Sequence, residues 1–209
     1  MPLTDDVTVR RRTSKRAIAS AERRDEILDA AVEAFTEAGF NGTSMRDVAA
    51  RVGMSHTGVL HHFPEKAGLL EAVLDRRTER AIAGLELNPA NGAQFLRSLL
   101  ILAERDLTDP LGMRMFRIIA SESLAPSHPA HGYMQRWYRE VRQSITTALA
   151  DLDARGHYVA SMPIAEAATQ IAGLRDGLDP QWLLDPDSVD LIGCMRAQLA
   201  LYTEVDLGQ

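Results

Sequence analysis

Residues 43–63 read TSMRDVAARVGMSHTGVLHHF, two short amphipathic runs separated by one glycine. Met45, Val48, Ala49 and Val52 stand at i, i+3, i+4 and i+7, a spacing that gathers apolar side chains on one face of a helix of about two turns. Gly53 follows, and without a Cβ it accepts the left-handed conformation that ends a helix and turns the chain. Ser55 then offers a side-chain oxygen to the free amides of a second helix. In that helix Val59 and Phe63 face inward, while His56, Thr57, Leu60 and His61 remain on the other side. The pattern predicts a helix-turn-helix whose second helix presents itself to a major groove. The small Ala49 lets the two helices cross closely.

Working outward, a helix is expected over 22–38, with Ile27, Ala31, Ala34, Phe35 and Ala38 on one stripe and Gly39 as its stop. Phe40 then packs back on the core, and Thr43 or Ser44 caps the first short helix. After Phe63, Pro64 opens a long amphipathic helix marked by Leu69, Leu70, Val73, Leu74 and Ala81. Residues 1–20 are polar, basic and aperiodic, and read as a mobile arm carrying Arg10, Arg11, Arg12, Lys15 and Arg16. Beyond Asn88-Pro89 the chain stays helical, with expected spans 91–107, 110–124, 129–155, 163–184 and 186–204. Asp109-Pro110 and Asp185-Pro186 each set a capping carboxylate before a proline at a first helical position. With no alternating strand pattern and no internal repeat, the fold class is all-α.

Composition excludes several classes. The 209 residues are 45% hydrophobic and 25% charged, those of a globular chain and not a disordered one. The net charge is −6, yet residues 1–66 carry ten basic and ten acidic residues, so the whole acidic excess lies beyond them. That division leaves one region suited to phosphate and an acidic remainder held off it. Cys194 is the single cysteine, which rules out a disulfide within the chain and suits a reducing compartment. No apolar run approaches the ~20 residues of a membrane helix, and the N-terminus lacks a signal-peptide apolar region. A cytoplasmic protein without membrane contact is expected.

The capped first helix, RDVAARVGMS, GVLHHFPEKAGLL and an all-helical remainder together resemble the TetR-type (TetR/AcrR) transcriptional regulators. Over 22–75, Thr43, Val48, Ala49, Gly53, Ser55, His62, Phe63, Lys66 and Leu70 match the family's pattern in order and spacing. The segment GLRDGLDPQWLLDPDSVDL, 173–191, looks like the penultimate helix and the start of the last in one subgroup. The resemblance implies a three-helix DNA-binding domain at 21–66 and a larger helical ligand-binding and dimerisation domain at 67–209, about nine helices in all. It also implies a homodimer built through the last two helices and a pocket for a small effector. Leu60 stands where the family usually has a tyrosine that touches phosphate, so that contact is absent or passes to His61. Pro180 interrupts a helix normally continuous in this subgroup and predicts a kink there.

The implied regulator is a repressor, released from a pseudo-palindromic double-stranded operator by a small molecule. For the reading helix, Ser55, His56, Thr57, Gly58 and His61 are the candidates for DNA contact: hydroxyl and imidazole can bond base edges or phosphate, and Gly58 permits close backbone approach or only helix crossing. Thr43, Ser44, Arg46 and Lys66 are candidates for phosphate, the first two at a helix N-terminus. Each of these side chains is also compatible with an ordinary solvated surface, and Arg46 with a pair to Asp47 or Glu65. Met113, Phe116, Arg117, Trp137, Tyr138, Gln170 and Arg175 are candidates for the effector pocket, though methionines and aromatics suit a plain core equally well. Arg117 or Arg175, if buried without a partner, would imply an anionic effector.

No histidine or carboxylate set has metal-ligand spacing, since adjacent His61 and His62 diverge by about 100° on a helix. No nucleophile elbow, phosphate loop or dinucleotide fingerprint is present, so neither catalysis, cofactor nor metal is expected. The competing reading is an all-α ligand carrier or dimeric interaction module whose helix-turn-helix is only structural.

Overall fold

The computed structural model describes residues 5–208, with side chains from Ile18 onward. Among these it has nine helices: α1 Asp5–Gly42, α2 Met45–Arg51, α3 His56–His62, α4 Lys66–Ile82, α5 Gly92–Leu107, α6 Pro110–Glu122, α7 His131–Ala154, α8 Ile164–Leu184 and α9 Leu191–Leu199. No strand occurs among the described residues; an isolated antiparallel bridge pairs Tyr158 with Thr203. The chain forms two compact units, residues 1–73 and 74–209. The arm expected to be mobile at 1–20, ahead of a helix at 22–38, is instead helical from Asp5 as part of α1, because no helix-stopping residue separates the two; its basic side chains lie outside the described ones.

In the N-terminal unit the apolar stripe read from α1 closes the core. Ile27, Ala31 and Phe35 are fully buried, as are Val48 of α2, Val59 of α3 and Leu69 of α4. Each large aliphatic or aromatic side chain so buried contributes about 1.5–3 kcal/mol. Gly39, with φ 67° and ψ −177°, breaks α1 near its end, where the sequence predicts a stop. Phe40 folds back with its ring centroid 6.0 Å from that of Phe35.

The C-terminal unit packs α5, α7, α8 and α9 around Leu96, Leu100, Ala148, Leu149, Ile171 and Leu191. At the start of α5, a Cβ on Gly92 would lie 2.2 Å from the Ala148 carbonyl oxygen, so only glycine permits this approach of α5 to α7. The Gly92 amide donates to Asp151 at 2.9 Å, and that bond, ahead of Arg155, holds the Asp151 carboxyl below its ordinary value. Asp109 caps α6 as read from sequence, accepting from the Gly112 amide at 3.0 Å with Pro110 at the first position.

The last helix differs from expectation. Asp185-Pro186 opens a turn and not a helix; α9 begins after Asp190, whose side chain accepts from the Gly193 amide at 2.8 Å. A second capping aspartate five residues on outcompetes the first, and α9 ends at Leu199 because the chain turns to bring Thr203 beside Tyr158. At the predicted kink, α8 runs unbroken through Pro180.

Candidate nucleic-acid interface and effector cavity

The turn between α2 and α3 follows from Gly53. With φ 66° it occupies the left-handed position after the C-cap, so that its amide donates to the Ala50 carbonyl and the Met54 amide to the Ala49 carbonyl. This pair of bonds is a Schellman motif. Nothing lies within 4 Å of where a Cβ would stand, so the glycine is required by conformation and not by space. Ser55 then caps α3, its Oγ accepting from the Gly58 amide at 3.1 Å. At Gly58 a Cβ would sit 3.2 Å from both the Ser55 Oγ and the Met54 methyl, so its small size serves the cap and the Met54 contact.

On α3, Thr57 and His61 are exposed and His56 and Leu60 half-buried, while Val59 and Phe63 are buried beneath. The inward pair, and Thr57 and His61 of the outward set, thus fall as the spacing predicts. The His61 and His62 rings meet edge to face at 5.7 Å.

Of the four residues expected at phosphate, Thr43 and Lys66 turn their side chains onto carbonyls, while Ser44 and Arg46 are exposed. Thr43 is only 3% exposed, and its hydroxyl donates to the carbonyls of Gly39 and Ala34 at 2.7 and 3.0 Å, closing the end of α1. Its side chain is therefore unavailable to an anion. Ser44 is the N-cap of α2 in a reciprocal capping box: its Oγ accepts from the Asp47 amide at 3.2 Å, and Asp47 accepts from the Ser44 amide at 2.8 Å. The Ser44 hydroxyl, followed by its amide, lowers the Asp47 carboxyl below its ordinary 3.8. Lys66 directs its ammonium to the carbonyls of Phe40 and Thr43, both at 2.7 Å, and lies 4.2 Å from the Phe40 ring centroid. It fastens the start of α4 to the loop before α2. Arg46 is exposed, with no ion pair to Asp47 or Glu65; Arg51 instead pairs with Glu37 and Glu33.

The C-terminal unit holds a partly enclosed cavity of about 330 Å³. Of the residues expected to line it, Phe116, Arg117, Trp137 and Arg175 do so. Met113, Tyr138 and Gln170 do not. Met113 is buried in the core at 1% exposure, Gln170 is exposed and accepts from the Tyr202 hydroxyl at 2.6 Å, and Tyr138 meets Trp137 edge to face at 4.9 Å. Burial, then the negative charge of Asp176, raises the Tyr138 hydroxyl above its ordinary value.

Neither arginine is unpaired. Arg175 bridges Asp106 and Asp179, each at 2.8 Å; Arg117 binds Asp179 at 2.6 Å and also Asp176; and Arg77 joins the far side of Asp106 at 2.8 Å. The result is an alternating chain, Arg77, Asp106, Arg175, Asp179, Arg117, Asp176, drawn from α4, α5, α6 and α8. Burial alone would lower Arg175, but Asp179 and Asp106 outweigh it and hold the guanidinium above its ordinary value. The conditional expectation of an anionic effector therefore fails, because both guanidiniums already have carboxylates. Sequence reading missed Arg77, Asp106 and Asp179. The i, i+4 spacing of Arg175 and Asp179 was a legible signal, whereas no spacing links Arg77 to Asp106.

Among the described residues, no helix is long and apolar enough to cross a membrane, and no group of three His, Cys, Asp or Glu could hold a metal.

A family model described as bacterial regulatory proteins, tetR family, matches residues 27–73. The HTH-type transcriptional regulator TtgR of Pseudomonas putida is 30% identical over 190 residues, covering 88% of this chain and 89% of its own. Among solved structures, a TetR-family regulator from Agrobacterium tumefaciens has a TM-score of 0.71 at 22% identity, over 88% of this chain and 99% of that one. SmeT, the repressor of a Stenotrophomonas maltophilia multidrug efflux pump, has a TM-score of 0.68 at 20% identity, over 89% and 93%. An identity of 30% over 88% of this chain, together with a family model that spans the helix-turn-helix built on Gly53, shows that this protein belongs to the TetR family and is a DNA-binding transcriptional regulator.

Proposed function

We propose that the protein is a homodimeric repressor that binds a pseudo-palindromic operator and leaves it when a small molecule enters the cavity of the C-terminal unit. What carries the reading is the division of α3 into a buried apolar face and an outward polar one on a capped, rigid frame. His56, Thr57 and His61 are the residues assigned to base edges and phosphate, with Arg46 on phosphate. Ser55 and Gly58 act by setting the start of α3, and Thr43, Ser44 and Lys66 by holding the frame. Two such heads about one duplex turn apart, roughly 34–36 Å, would enter successive major grooves.

Release is a shift of population between a state that fits the operator and one that does not. Effector and operator then weaken each other by the same factor. Repression matches what is described for SmeT, and the apolar, partly enclosed cavity supports a small organic effector.

Selecting genomic fragments on the purified protein, followed by mobility shifts at two salt concentrations, tests the reading. A regulator gives specific bands that survive competitor DNA and weaken steeply with salt. An all-α carrier with a structural helix-turn-helix gives none.

A further inference from the structure

The apolar wall of the cavity includes Phe95, Leu99, Phe116, Trp137, Val141 and Ile171, and its polar wall carries the guanidiniums of Arg77, Arg117 and Arg175. Three arginines on a ligand cavity would ordinarily call for an anion. Here the ion chain answers them with three aspartates, of which Asp179 is fully buried, and Asp176 and Asp179 stand outside the lining. An anion that displaced an aspartate would leave that carboxylate buried and unpaired, which is strongly unfavourable, and one that bound beside it would lie against the Asp106 carboxylate. Two carboxylates, Asp106 and Glu140, stand in the lining beside the three guanidiniums. An uncharged molecule meets aromatic and aliphatic surface with the three guanidiniums already paired.

We infer that this cavity selects uncharged aromatic molecules of one or two rings over their anionic counterparts, and that Asp106 is the residue that determines this selectivity, by neutralising Arg77. The inference rests on reading the cavity as the effector site. Its volume of about 330 Å³ falls at the small end of ligand pockets. Arg77 is the weak point of the balance. Among the described residues, Arg117 and Arg175 each hold two carboxylates and Arg77 holds one, Asp106. Its Nε is buried without a hydrogen bond, and its guanidinium lies 4.7 Å from the centroid of the Phe116 ring, against the aromatic wall. Removing the charge of Asp106 leaves Arg175 paired to Asp179 and converts Arg77 into an open anion site.

The experiment follows displacement of N-phenyl-1-naphthylamine, an uncharged fluorescent probe, from the intact protein. The competitors are benzophenone and 4-benzoylbenzoate, which share a skeleton and differ by one carboxylate. Wild type is expected to bind benzophenone at least about tenfold more tightly than the anion. Asp106→Asn is expected to raise affinity for 4-benzoylbenzoate by about tenfold or more, leaving benzophenone within about threefold.

A wild-type preference for the anion overturns the inference without any variant. So does an Asp106→Asn protein that binds benzophenone normally but gains nothing for the anion. Either result leaves an effector cavity standing. Failure of the probe and both competitors to bind wild type overturns the effector reading and the selectivity together. Benzophenone binding that leaves operator affinity unchanged supports the selectivity and sinks only its coupling to DNA.

Discussion

Arg117 of α6 grips Asp179 of α8 through two N–H groups on one carboxylate oxygen, Nε at 2.9 Å and Nη2 at 2.6 Å. Asp179 is fully buried and also accepts from Arg175 at 2.8 Å, so one carboxylate balances two guanidiniums. Asp179→Ala should destabilise the protein by about 3 kcal/mol, the low end for breaking a buried pair, because Arg117 keeps Asp176 and Arg175 keeps Asp106. Urea denaturation measures it; a loss under about 1 kcal/mol would mean the chain is not coupled as described.

Lys66 separates two roles that a bare affinity measurement confuses. If its ammonium fastens the Phe40 and Thr43 carbonyls, Lys66→Met lowers stability by about 1–3 kcal/mol while the dependence of log affinity on log salt keeps its slope. A phosphate contact would instead flatten that slope by about 0.9. Operator titrations from low to moderate salt decide between them.

The exposed residues of α3 should behave in the opposite way. Thr57→Ala and His61→Ala are expected to leave the unfolding midpoint unchanged, since both side chains stand in solvent. Each should cost about 1–2 kcal/mol of operator binding, roughly tenfold. Substitutions that shift the midpoint without touching affinity would refute their assignment to DNA.

Two glycines should fail for different reasons. Gly53→Ala forces a Cβ into a left-handed backbone with open space around it and costs about 1–2 kcal/mol, with Gly53→Asn milder. Gly92→Ala drives a methyl to 2.2 Å from a backbone carbonyl, and Asn cannot relieve that. Thermal unfolding of the four variants should therefore show asparagine rescuing position 53 alone.

The capping box of α2 makes a pH prediction. The folded Asp47 carboxyl lies below 3.8, lowered first by the Ser44 hydroxyl. Its contribution is thus complete above the unfolded value of about 3.9 and disappears as pH falls through the folded one. The stability gap between wild type and Asp47→Asn should be open at pH 7 and narrow progressively below the unfolded value. A gap that holds constant into strong acid would show that the carboxylate charge plays no part in the cap.

Local physics determined much of this protein from sequence. The spacing of Val48, Ala49, Val59 and Phe63, the conformation only Gly53 takes easily, and the cap at Ser55 specify a helix-turn-helix without any distant partner, because each acts within one or two turns of chain. The same reasoning placed the Asp109-Pro110 helix start and the Gly39 stop. It failed where an outcome depends on what arrives from elsewhere. Thr43 and Lys66 carry anion-binding groups, but tertiary folding turned them onto carbonyls of α1 and its following loop. Asp185-Pro186 is a sound helix start that lost to Asp190. Above all, Arg77, Arg175 and Asp106 lie far apart in the chain, and only the packing of α4, α5 and α8 makes them partners. Sequence counts charges but cannot say which of them cancel, since that depends on distances of a few ångströms between helices. The tertiary structure alone decided that the cavity's arginines are already neutralised.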